Sequence, residues 1–127
     1  MIIAVDFDGT IVDHGYPDIG APVPGAFEWL KKWQEQGAKL ILWTMRSNDA
    51  LMQAVEFCRT NGLEFYGVNE SPTARLVPLD EATAHAGTSP KGGLLVRASK
   101  RVGDKDYVDW DIVGPAISKM LEDSYGV

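Results

Sequence analysis

Asp6 and Asp8 stand two residues apart where an apolar run, residues 2–7, gives way to polar chain. Side chains alternate along a strand, so the two carboxylates share one face and Phe7 takes the other. Like charges this close repel, and the pair persists most naturally where a divalent cation or a protonated partner offsets the repulsion. The chemistry implied is that of an acid pair supported by a cation or sharing a proton. Gly9 lets the chain turn sharply after the pair, and Thr10 can hydrogen-bond the loop backbone. A bare Asp-x-Asp also occurs in sugar transferases and in other metal sites, so the surrounding elements decide what the pair does.

Residues 2–7 show no polar alternation, which suits a strand buried on both faces of a parallel sheet. Ligands in open α/β sheets bind beyond the carboxyl ends of the strands, where the two acids would emerge. Residues 10–25 form a loop broken by Pro17, Pro22 and Pro24. Pro24 suits a helix start, with Phe27, Leu30 and Trp33 on its inner face and Gly37 at its end. A second strand over 39–43 leads into the turn Thr44-Met45-Arg46-Ser47. Asn48 or Asp49 then caps a helix carrying Leu51, Met52, Val55 and Cys58 inward, stopped by Gly62.

Residues 63–68 read as a third strand and 94–96 as a fourth. Between them, 69–90 is a surface excursion with a weak helical stretch near 79–86. Ile112, Val113, Ala116, Ile117, Met120 and Leu121 mark a closing helix with Pro115 in its first turn. Alternating strands and helices imply right-handed crossovers and a parallel sheet of four or five strands, with helices on both faces in a three-layer α/β sandwich.

At 127 residues the chain fits one domain, 1–127. With 45% hydrophobic and 24% charged residues it has a globular balance, and no run reaches the roughly 18 apolar residues of a membrane span. No basic n-region precedes residues 2–5, so a cytoplasmic protein is expected. A net charge of −6 argues against nonspecific adhesion to nucleic acid. The single cysteine, Cys58, lies in an apolar helical pattern and reads as core. His14 and His85 have no histidine or cysteine at ligand spacing. The four tryptophans read as core and rim packing, since Trp29 and Trp33 fall at helical spacing.

The segment Ile3-Ala4-Val5-Asp6-Phe7-Asp8-Gly9-Thr10 resembles the signature of the haloacid dehalogenase (HAD) superfamily. That resemblance implies a HAD-like Rossmannoid core with a minimal cap and Mg²⁺-dependent phosphoryl transfer. Asp6 would be the nucleophile that becomes an aspartyl phosphate, and Asp8 the general acid and base. The Asp6 carboxylate and the Asp8 backbone carbonyl would help hold Mg²⁺. Thr44, after the second strand, matches the family's second motif and would hydrogen-bond the transferring phosphoryl group. Arg46 is a candidate grip on substrate phosphate, with a solvated surface arginine as the plain alternative. Lys91 is the first choice for the charge-neutralising lysine, and Lys100 the second.

The resemblance extends to a group of small HAD-type proteins with Ser-x-Lys before the last strand and an Asp-Trp pair after it, here Ser89-Pro90-Lys91 and Asp109-Trp110. In those proteins an Asp-Asp pair follows the fourth strand and completes the Mg²⁺ shell. Here Ser99-Lys100-Arg101 stands in its place. Either the acid site is lost, or Gly103-Asp104 with Asp109 supplies a Gly-Asp-x-x-x-x-Asp form in which Asp104 is the metal ligand. The expected function is a phosphomonoester hydrolase. Its rivals are a phosphotransferase and a weakened phosphate-binding or regulatory relative. A minimal cap leaves the site open to a bulky substrate, or to a partner or second copy that closes it.

Overall fold

A computed structural model describes residues 2–68, 93–96, 100–102 and 105–125, and for 93–95, 100–102, 105–107 and 124–125 it describes the backbone alone. Four short strands, β1 (Ile2–Val5), β2 (Lys39–Leu42), β3 (Phe65–Val68) and β4 (Gly93–Val96), form a parallel sheet in the order β3-β2-β1-β4. β1 is therefore flanked on both sides, with Val5 opposite Leu42 and Val96. Ile3, Ala4, Val5, Leu40, Ile41 and Leu42 are all fully buried, as a run without polar alternation requires.

The two faces of the sheet are dressed differently. Ile3, Val5, Leu40 and Leu42 join one large cluster with three helices, α1 (Ala26–Glu35), α2 (Asn48–Thr60) and α3 (Trp110–Tyr125). Ala4 and Ile41 form a second cluster with Ile2 and Trp43. Among the described residues the helices thus make one layer on the sheet. The surface excursion over 69–90, and with it any helix on the second face, lies outside the described residues.

α1 places Phe27, Leu30 and Trp33 inward as expected, but its cap is Gly25, so Pro24 precedes the helix instead of opening it. On α2 the inward stripe runs through Leu51, Ala54, Val55 and Cys58. Met52 sits about 100° off that stripe and is 70% exposed, contrary to the sequence reading. Ser47, one residue earlier than expected, is the cap of α2. α3 starts at Trp110, so Pro115 falls in its second turn. Its buried stripe is Val113, Ile117 and Leu121, leaving Ile112 and Met120 exposed although both were expected inside.

α1 and α3 meet along a seam with polar ties. The Trp33 indole N–H donates to the Gly114 carbonyl (3.1 Å), and Gln36 and Ser118 exchange hydrogen bonds of 3.3 and 2.9 Å. Gly114 has to be glycine at this crossing, since an added Cβ would lie 2.3 Å from the Trp29 ring. A short antiparallel pair, β5 (Lys100–Val102) and β6 (Lys105–Tyr107), precedes α3 and was not expected. Among the described residues no helix is long and apolar enough to cross a membrane.

Cys58 is fully buried, and burial pushes its thiol up to about 12 from an ordinary 9.0. At pH 8 the native protein should react with a disulfide-exchange reagent at least about 10³-fold more slowly than free cysteine, because the thiolate is the nucleophile. Denaturant should release full reactivity, and prompt native reaction would contradict the burial. The same shift means stability falls as pH rises from 9 toward 12, where the unfolded thiol ionises first.

Candidate functional site

The chain leaves β1 straight into the acid motif. The Asp6 N–H donates to the Val96 carbonyl (2.9 Å), so β4 holds the first acid in line with the strand. Its Oδ1 accepts from the Phe7 N–H (2.9 Å). Phe7 is fully buried in the same cluster as Ile3 and Val5, while Asp6 continues the alternate row that begins with Ala4.

Beyond Phe7 the backbone wraps on itself. The Phe7 carbonyl accepts from the N–H groups of Thr10, Ile11 and Val12, and the Gly9 N–H donates to the Val12 carbonyl (2.7 Å). Gly9 adopts φ 81°, and the His14 imidazole lies 2.4 Å from where a Cβ would be. No side chain fits there without displacing that ring. Thr10 is fully buried and its carbonyl accepts from the Trp110 indole N–H (2.9 Å), which ties the start of α3 to the motif.

Thr44 follows β2 at the same edge of the sheet, since the Trp43 N–H donates to the Val5 carbonyl (2.9 Å). Its Oγ1 accepts from the Arg46 N–H (3.1 Å). Asp6 and Thr44 thus leave the carboxyl ends of adjacent parallel strands.

Arg46 is the residue whose surroundings differ most from the sequence reading. It is 3% exposed and grips Asp8 in a two-toothed ion pair, Nε to Oδ2 at 2.8 Å and Nη2 to Oδ1 at 2.7 Å. Its other N–H groups donate to the carbonyls of Pro17 (3.1 Å), Ala50 (3.4 Å) and Asp18 (2.7 Å). A guanidinium has five N–H donors, and protein acceptors take every one. Its Cζ lies 5.0 Å from the Phe7 ring centre and 5.1 Å from that of Tyr16. Hydrogen bonding to Asp8 raises the Arg46 pKa, against the lowering effect of its own burial. In this arrangement Arg46 is buried and its donors are engaged within the protein, so it is not a solvated surface arginine. The pairing spans 38 residues. The signal that could have found it is an arginine just beyond one strand end and an acid just beyond the next.

Asp109 turns out to cap α3. Its Oδ1 accepts from the Asp111 N–H (3.2 Å), and its carbonyl accepts from Ile112 and Val113. β5 pairs with β6 and not with the parallel sheet, so Val102 does not end a sheet strand as the Gly-Asp-x-x-x-x-Asp reading needs. Lys91 and Asp104 lie outside the described residues, as do residues 97–99, while Lys100 lies in β5.

The Asp6 carboxylate and the Asp8 carbonyl are hard oxygen donors of the kind Mg²⁺ takes. Among the described residues no three His, Cys, Asp or Glu side chains gather as for a metal ion. The Asp8 carboxylate is committed to Arg46.

No family model matches the sequence, and no curated protein does. A solved structure, that of a conserved protein from Bacteroides thetaiotaomicron, is 40% identical, with a TM-score of 0.67 over 94% of this chain and 91% of that one. Identity at that level over nearly the whole of both chains means that this protein belongs to the family of that conserved Bacteroides protein.

Proposed function

We propose that the protein is a HAD-type, Mg²⁺-dependent phosphomonoester hydrolase working through an aspartyl phosphate on Asp6. The observation that carries this reading is the Asp-Phe-Asp-Gly-Thr loop at the carboxyl end of a strand flanked on both sides, with Thr44 at the end of the neighbouring strand. The Asp6 carboxylate attacks phosphorus, the bond to the ester oxygen breaks, and that oxygen leaves with a proton. Water then attacks the acyl phosphate, which returns Asp6 and releases inorganic phosphate. Asp8 is the nearest acid in sequence to exchange these protons, and the Thr44 hydroxyl is suited to hydrogen-bond the phosphoryl oxygens. Mg²⁺, held by Asp6 and the Asp8 carbonyl with Asp104 as a further candidate, would neutralise charge on phosphorus.

A second reading has its own support. The Asp8 carboxylate accepts two hydrogen bonds from Arg46, which leaves it fewer acceptor sites for the protons it would exchange. This favours slow turnover, or a protein that binds phosphate without hydrolysing it. A screen of sugar phosphates, nucleotides and end-phosphorylated polynucleotides tests both. Release of phosphate with Mg²⁺, abolished by a chelator, is the expected result. Absence of turnover across the panel, with saturable phosphate-ester binding, would establish the second reading.

A further inference from the structure

We propose that Arg46 is a positioning residue: it holds the Asp8 carboxylate and the loop 13–18 in one geometry beside Asp6, and acts on the reaction through Asp8 without touching substrate. In speaking of a reaction the proposal rests on the phosphatase reading above.

Five bonds from one side chain reach three separate stretches of chain, namely Asp8 after β1, Pro17 and Asp18 in the loop, and Ala50 in the first turn of α2. Only a planar fork can do this. A lysine carries the charge but has three donors radiating from one atom, so it cannot match both carboxylate oxygens and the outlying carbonyls together. The Arg46 Cζ also lies against the rings of Phe7 and Tyr16, one buried and one 63% exposed.

Arg46 uses two of the roughly four acceptor sites of the carboxylate, so Asp8 is oriented and still able to take a proton at the others. Without the fork the short Asp8 side chain turns about two bonds, and the Pro17 and Asp18 carbonyls lose their donor. A misplacement of about 1 Å in a reacting group lowers rate by about 100-fold. Direct phosphate binding predicts something else, because a lost ground-state contact appears in KM.

The test compares wild type, Arg46→Lys and Arg46→Ala, measuring kcat and KM on an ester found in the screen and amide exchange over residues 13–18. Arg46→Lys should lower kcat by about 100-fold with KM within about threefold, and the amides of 13–16 and 18 should exchange at least about tenfold faster while those of β1 and β2 do not change. Millimolar guanidinium, which can refill the space left in Arg46→Ala, should restore part of kcat where ammonium does not. If Arg46→Ala fails to fold, the lysine variant alone carries the test. A raised KM at constant kcat would make Arg46 a substrate ligand and overturn the proposal, as would unchanged kcat in Arg46→Lys. Should wild type turn over no ester, the phosphatase reading falls by itself. The exchange measurement then still decides the clamp, and unaltered protection of 13–18 in Arg46→Lys would overturn it.

Discussion

Asp6→Asn should lower phosphate-ester turnover by about 10⁴-fold or more, with little change in melting temperature. The amide keeps the size of the side chain and its carbonyl oxygen can still accept the 2.9 Å bond from the Phe7 N–H, so the loop is preserved. What it loses is a charged oxygen able to attack phosphorus, and the phosphoenzyme cannot form. Trapping acid-stable ³²P on wild type but not on Asp6→Asn checks this. Equal labelling of the two would move the nucleophile elsewhere, and undiminished turnover would end the aspartyl-phosphate mechanism.

Trp33→Ala should be the most damaging single change to stability. Trp33 is fully buried, packs on Trp110 with ring centres 5.5 Å apart, and donates to Gly114 across the α1–α3 seam. Truncating a buried tryptophan costs about 3–5 kcal/mol, and stranding a buried carbonyl adds about 1–3. A domain has about 5–15 kcal/mol in all, so the variant should melt about 20 °C lower or show no cooperative transition. Met52→Ala is the contrast. Met52 is 70% exposed, so its removal should change stability by no more than about 0.5 kcal/mol. A large loss at Met52 in calorimetry would put it back in the core.

Features carried by local spacing were legible in the sequence. β1 and β2 follow from their unbroken apolar runs, and the inner face of α1 follows from Phe27, Leu30 and Trp33. Met52, Ile112 and Met120 misled because apolar type alone does not say which of two adjacent helical positions meets the sheet. The β5–β6 hairpin is rich in charge and has no apolar period to betray it. Asp109 was read as a motif residue, and its role as the cap of α3 was missed although aspartate suits either position. Its 3.2 Å bond from the Asp111 N–H supports the cap. Arg46 was legible as a residue of interest but its ion pair was not, since nothing local names Asp8 as its partner across two strands.

The sheet order β3-β2-β1-β4 also has a consequence for the chain as it is made. β1, β2 and β3 pair with neighbours along the sequence, but Ile2 pairs with Gly93 on its other side, and Asp6 is anchored by Val96. Trp110, which holds Thr10, comes later still. A ribosome releasing about 5–20 residues each second exposes the acid motif several seconds before the strand and helix that seat it exist. During that interval one edge of β1 is an unpaired, wholly apolar strand, the kind of surface that chaperones cover and that aggregates when left bare. Synthesis rate and temperature therefore bear on the yield of folded protein, through the closing of this one long-range pairing.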